Sequence, residues 1–141
     1  MITSVTPGDV FKLVCTFPHE TKPKYLILLK TKPYEFFIIN SAISKFIQSR
    51  IELYACQVDV PYEDHKSFLS HDSYAECSGK VDTSAIIKEK DLTFNDLANF
   101  KVGRLANYVI SQIIHIVENE NLTLTGKEKK LIISELKSSI S

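Results

Sequence analysis

The sequence predicts an α+β fold, a small barrel of about five short strands followed by a helical C-terminal part. Two observations predict it. Up to Ser78-Gly79 the apolar residues recur mainly at every second position or in short runs, and beyond that point they recur at three and four. The strand-like runs are also short and rich in apolar residues, which suits a closed or half-closed barrel that hides its edges without a second sheet. The barrel is expected over about 7–80 and the helices over about 82–139, with no linker or repeat dividing the 141 residues, so one domain is expected.

Pro7-Gly8-Asp9 is a turn signal, and Phe11, Leu13, Cys15 and Phe17 then alternate with other residues as a first strand. Pro18 to Lys24 is polar and reads as a charged loop. Tyr25-Leu26-Ile27-Leu28-Leu29 is apolar without alternation, so both faces of this second strand should be covered. Lys30 to Pro33 is short enough for a hairpin before a third strand, Tyr34 to Ile39. Ala42, Ile43, Phe46 and Ile47 fall at helical spacing, capped by Asn40 or Ser41. Tyr54 to Val60 alternates as a fourth strand closed by Pro61, and Ser73 to Cys77 supplies a fifth.

Beyond Gly79, Asp82-Thr83-Ser84 caps a short helix through Ile87, and Thr93 with Asp96 resembles a capping box. The stripe of Val102, Leu105, Ala106, Val109, Ile110, Ile113 and Val117 predicts one long amphipathic helix from Lys101 to Glu118. Thr125-Gly126-Lys127-Glu128 is a further capping box, opening a last helix through Leu136. Residues after 82 are expected to be mainly helical, with no strand beyond Gly103.

Seventeen basic and seventeen acidic residues give no net charge, so the whole molecule is not an electrostatic magnet for polyanions. The balance is uneven, with seven Lys or Arg against three acids in residues 1–50. A basic face in that half remains open. Cys15, Cys56 and Cys77 are odd in number, lack Cys-x-x-Cys spacing and sit in apolar runs, which reads as buried thiols in a reducing compartment. With no secretory signal and no apolar run of membrane-spanning length, the expected location is cytoplasmic.

The densest chemistry lies in Phe68 to Ser78, where His71, Asp72, Ser73, Tyr74, Glu76 and Cys77 follow one another. Asp and Ser are also ordinary turn residues, so a turn and a short strand would account for the same letters. His65 beside Glu63 and Asp64 makes no metal site without distant partners, and four scattered glycines make no phosphate loop, so no metal and no cofactor is expected.

Pro7-Gly8-Asp9-Val10 opening the first strand, Lys22-Pro23 entering the second, Ile39-Asn40-Ser41 ending the third and the later His71-Asp72-Ser73 resemble, in order, the PemK/MazF-like toxins of type II toxin-antitoxin systems. The resemblance spans roughly 7–100. It implies an SH3-like barrel, a homodimer, an antitoxin partner and metal-independent cleavage of single-stranded RNA. Lys22, Ser41, His71 and Glu76 are then the expected catalytic residues, with His19, Lys22 and Lys24 contacting RNA.

The chain departs from that pattern in places. Lys22-Pro23 stands where active members carry Arg-Pro, keeping the charge but losing the bidentate fork that suits phosphate. Glu76 and Ser78 stand where members carry an Arg and an Asp. A catalytically inactive SH3-like interaction module is therefore the alternative. The surplus apolar surface of the second and third strands also predicts a homodimer or a tight complex.

Overall fold

The computed structural model describes residues 5–82 and 97–140. In chain order these form β1 (Asp9–Thr16), β2 (Thr21–Thr31), β3 (Tyr34–Asn40), α1 (Lys45–Gln48), α2 (Ile51–Tyr54), β4 (Gln57–Val60), a 3-10 turn (Tyr62–Asp64), β5 (Ser73–Glu76), β6 (Lys101–Arg104), α3 (Asn107–Asn119) and α4 (Gly126–Ile140). The strands make one antiparallel sheet in the order β4-β5-β3-β2-β1-β6. Register shifts between Val10 and Phe11 and between Leu28 and Lys30 add twist, and the sheet curls into a half-barrel.

Alternation along the central strands builds two cores. Val10, Ile27, Leu29, Phe37 and Ile39 turn to the side covered by α3 and α4, while Phe11, Leu13, Leu26, Leu28 and Phe36 pack with Leu97 on the other. Leu26 to Leu29 are fully buried, as expected of a strand covered on both faces. Each such side chain contributes roughly 1.5–3 kcal/mol of transfer free energy. The apolar surplus of β2 and β3 is thus absorbed within the chain. Exposed large apolar side chains include Phe46, Ile51 and Tyr54 on α1 and α2, at 61%, 85% and 49%, besides Tyr108, Leu122 and Leu131 on the helical part.

Four expectations need correction. Lys101–Arg104 is a sixth strand rather than the first turn of the long helix, because it pairs with the outer edge of β1 and Gly103 is a poor helix residue. The helix therefore starts only at Asn107. Lys22 to Lys24 belongs to β2 rather than to a loop, since Phe17 N–H donates to Glu20 O at 2.7 Å and closes the hairpin tightly. The helix expected after Ser41 is two single turns, capped by Ser44 and not by Asn40 or Ser41. Tyr54 ends α2, so β4 begins only at Gln57. The caps expected at Thr83 and Thr93 lie outside the described residues.

The capping box at α4 forms as its spacing predicts, with Thr125 N–H donating to Glu128 Oε1 at 3.0 Å and Glu128 N–H to Thr125 Oγ1 at 3.1 Å. Lys80 joins it, bonding both Glu128 and Glu35. The Lys80 ammonium and the Thr125 amide hold the Glu128 carboxyl at about 2, below its usual 4.5. A depressed folded-state value gives stability that is present above pH 4.5 and lost as pH falls toward 2. Glu128→Gln is therefore expected to flatten the acid limb of the stability profile, read as denaturant midpoints in that window.

Asn121-Leu122-Thr123 is a turn anchored by its first residue. Asn121 is fully buried, donates to Cys77 O at 2.7 Å and accepts from the amides of Thr123 and Leu124. All three cysteines are free and buried. Among the described residues no helix is long and apolar enough to cross a membrane.

Candidate functional site

The segment from Pro61 to Asp72 straps across one end of the half-barrel, and its anchors are polar. Tyr62 N–H donates to Asp72 Oδ1 at 2.9 Å, tying the two ends of the strap together. His65, only 2% exposed, donates from Nδ1 to Pro61 O at 2.6 Å and accepts at Nε2 from Ala106 N–H at 3.0 Å, which sets the ring's orientation and places its proton on Nδ1. Tyr108 donates to Asp64 Oδ2. The strap is thus fastened to the start of α3. Phe68 then stacks obliquely on Tyr25 of β2, with ring centroids 5.6 Å apart.

Gly103 is part of the same fit. A Cβ there would lie 2.7 Å from Phe68 Cδ1 and 2.8 Å from Ser67 Oγ. Gly103→Ala is expected to cost about 1–3 kcal/mol by overpacking and to displace the strap, checked by denaturant unfolding together with the shift of the Phe68 ring resonances.

Between strap and sheet lies a cavity of about 230 Å³. Lys22, Pro23, Lys24 and Tyr25 bound it from β2, Ile39 and Ser41 from the end of β3, and Phe68 to His71 with Ser73 from the strap. Four residues singled out in the sequence, Lys22, Lys24, Ser41 and His71, therefore meet here from three separate segments. β2 runs past the end of β3, whose last partnered residue opposite β2 is Ile39, and this overhang opens the cavity. Pro23 tolerates the position. The hairpin closure at Phe17 and Glu20 sets the alternation, so Pro23 faces the overhang and removes no bond to β1.

The polar groups are unevenly placed. His71 is exposed, and its Nδ1 lies 3.0 Å from Asp72 O. Donation there leaves the Nε2 lone pair free as a base. The Ser73 hydroxyl donates to His71 O at 3.3 Å and is buried at the cavity floor. Asp72 itself is spent on the strap, and among the described residues no carboxylate lines the cavity.

The lysine ammonium groups are engaged. Lys22 Nζ is 2.9 Å from Glu20 Oε1, a half-exposed pair that contributes little to stability. Lys24 Nζ donates to Asn40 Oδ1 at 3.0 Å, and Asn40 Nδ2 lies 3.4 Å from Glu76 Oε1. Alternation puts Lys22, Lys24, Asn40 and Glu76 on the side of the sheet opposite Tyr25 and Ile39, so the two lysines border the cavity at the overhanging part of β2 while their side chains leave from its other face. Burial lowers the Lys24 pKa, and burial raises that of Glu76. Glu76 thus stands outside the cavity, and His19 does not line it either.

Sequence reasoning missed His65, whose burial depends on a contact with Ala106 that no local pattern displays. Burial raises the Cys56 and Cys77 thiols, which keeps both inert. His115 lies on an exposed face of α3, bonded by Asn119. Among the described residues no cluster of three or more His, Cys, Asp or Glu is placed to hold a metal ion. No protein-family model matches the chain, and no curated protein sequence matches it.

Proposed function

We propose that this protein is a toxin-type endoribonuclease on an SH3-like barrel, binding single-stranded RNA across the cavity and cutting it without a metal. The observation that carries this reading is the convergence of Lys22, Ser41 and the exposed His71 on one cavity. In the step envisaged, His71 Nε2 takes the proton of a ribose 2'-hydroxyl. The 2'-oxygen forms a bond to phosphorus, the bond to the 5'-oxygen breaks, and that oxygen takes a proton from water. A 2',3'-cyclic phosphate and a 5'-hydroxyl end result. Lys22, once released from Glu20, places positive charge on the phosphate.

A second reading is favoured by one specific observation. Glu76 is held by Asn40 on the reverse side of the sheet, so among the described residues no carboxylate faces His71 across the cavity. On that reading the chain is an interaction module that binds RNA without cutting it. Both readings predict the same binding result. Lys22→Ala is expected to weaken binding of a single-stranded oligoribonucleotide and to reduce the log–log salt slope by roughly 0.7, the value for one lost phosphate contact. An unchanged slope would remove Lys22 from the interface.

Association is part of the proposal. Phe46, Ile51 and Tyr54 are exposed apolar side chains on α1 and α2, shortly after Ser41 in the chain. Ser41 lines both the cavity and the neighbouring hollow that holds Tyr54. An antitoxin protein or a second subunit seated on these side chains would cover the cavity mouth.

A further inference from the structure

We infer that the groove between β4 and α3 receives an extended peptide segment of a partner protein as an additional strand of the sheet. β4 is one margin of the sheet and β6 the other. The β6 margin has the strap packed against it at Gly103. Among the described residues the β4 margin has no such cover.

The hydrogen-bond alternation shows what β4 offers. Cys77 N–H donates to Cys56 O at 3.0 Å, and the same alternation spends Val58 and Val60 on their partners Ala75 and Ser73. The N–H and C=O groups of Gln57 and Asp59 therefore turn outward, and none of the four has a hydrogen-bond partner among the described residues. Donor and acceptor pairs repeating at every second residue match an extended main chain and little else. A groove of about 380 Å³ runs along them, with Gln112, His115 and Ile116 of α3 as its other wall. Gln57 itself is held on this strand by its amide, whose Nε2 donates to Leu53 O at 3.0 Å and whose Oε1 is buried without a partner among the described residues.

Charge narrows the occupant. Asp59 is exposed and makes no ion pair among the described residues. An incoming segment with a Lys or Arg beside it is favoured. A second copy pairing β4 with β4 would instead bring two Asp59 carboxylates onto one two-stranded ribbon. The inference does not rest on the RNA reading, because the groove shares no residue with the strap cavity.

The test uses the full chain and random short peptides displayed on phage, with the selected peptides resynthesised. Their binding is expected to slow hydrogen exchange at the Gln57 and Asp59 amides and to favour a Lys or Arg. Asp59→Pro removes an outward N–H without touching the β4–β5 bonds, and should weaken binding by about tenfold or more. N-methylation of alternate peptide amides should weaken binding to the unaltered protein comparably, which keeps the test decisive if Asp59→Pro fails to fold. Protection appearing elsewhere, full affinity for Asp59→Pro or for the N-methylated peptides, or selection of no groove-binding peptide would overturn the inference. So would a dimer that Asp59→Pro dissociates, since a second copy would then be the occupant.

Discussion

Asp9→Ala is expected to destabilise the fold by about 3 kcal/mol or more, the largest stability effect among the described polar residues. Asp9 is 1% exposed, and three donors converge on its carboxylate: Lys101 Nζ at 3.1 Å, Arg104 Nη1 at 3.2 Å and Thr6 N–H at 2.8 Å. Arg104 also donates to Pro7 O and Ser139 O, so one carboxylate orients the group that joins the N-terminal turn, β6 and the end of α4. Removing it strands two cations that are each about one-third exposed, so part of the penalty is relieved by water. The amide of Thr6 has no such relief if it stays buried. Asp9→Asn, which keeps an acceptor of the same shape, should recover part of the loss. Urea unfolding of the three proteins reads the difference, and a loss below about 1 kcal/mol for Asp9→Ala would contradict the buried-clamp account.

His71→Ala is expected to slow RNA cleavage by about 10²–10⁴-fold, the usual contribution of a positioned general base. The side chain is exposed and its polar contacts are local, to Asp72 O at 3.0 Å and to the Ser73 hydroxyl at 3.5 Å, so the substitution should leave the unfolding midpoint nearly unchanged. RNA affinity should also hold. The separation from Lys22→Ala is then diagnostic, since one variant loses rate and the other loses binding. Equal cleavage by wild type and His71→Ala would take catalysis away from this imidazole. No cleavage by either, with binding intact, would leave the interaction-module reading standing.

Much of the frame was legible in the sequence because burial leaves a periodic trace. The unbroken apolar run of Leu26 to Leu29 announced a strand covered on both faces, and the Thr125 to Glu128 spacing announced its cap. Lys101–Arg104 was misread because Val102, Leu105 and Ala106 satisfy a helical spacing while the deciding factor, the unpaired edge of β1, is tertiary. Lys22 to Lys24 was misread for a related reason: Pro23 suggested a loop, but it lies where β2 overhangs β3 and costs no bond to β1.

The site was legible in part. Lys22, Lys24, Ser41 and His71 all border one cavity although they lie far apart in sequence, but the two lysine side chains leave β2 from the face opposite Tyr25. Glu76 was grouped with His71 because five residues separate them, yet the alternation of β5 turns it to the opposite face from Ser73 and Ala75. Pro7-Gly8-Asp9, read as a turn, is one, closed by Asp9 N–H donating to Thr6 O at 2.9 Å, and Gly8 is a packing requirement as well. Gly8 has φ +96°, and a Cβ there would lie 2.6 Å from Ile110 Cδ1.

The central claim is that RNA lies across the cavity between β2 and the strap. Its most direct test is the backbone amide spectrum of the protein titrated with a short single-stranded oligoribonucleotide carrying a 2'-deoxy sugar at each position where cleavage is seen. The account predicts shifts concentrated at Lys22, Lys24, Tyr25, Ser41 and Phe68 to Ser73. Shifts confined to other surfaces, or none at concentrations where binding is saturated, would contradict it.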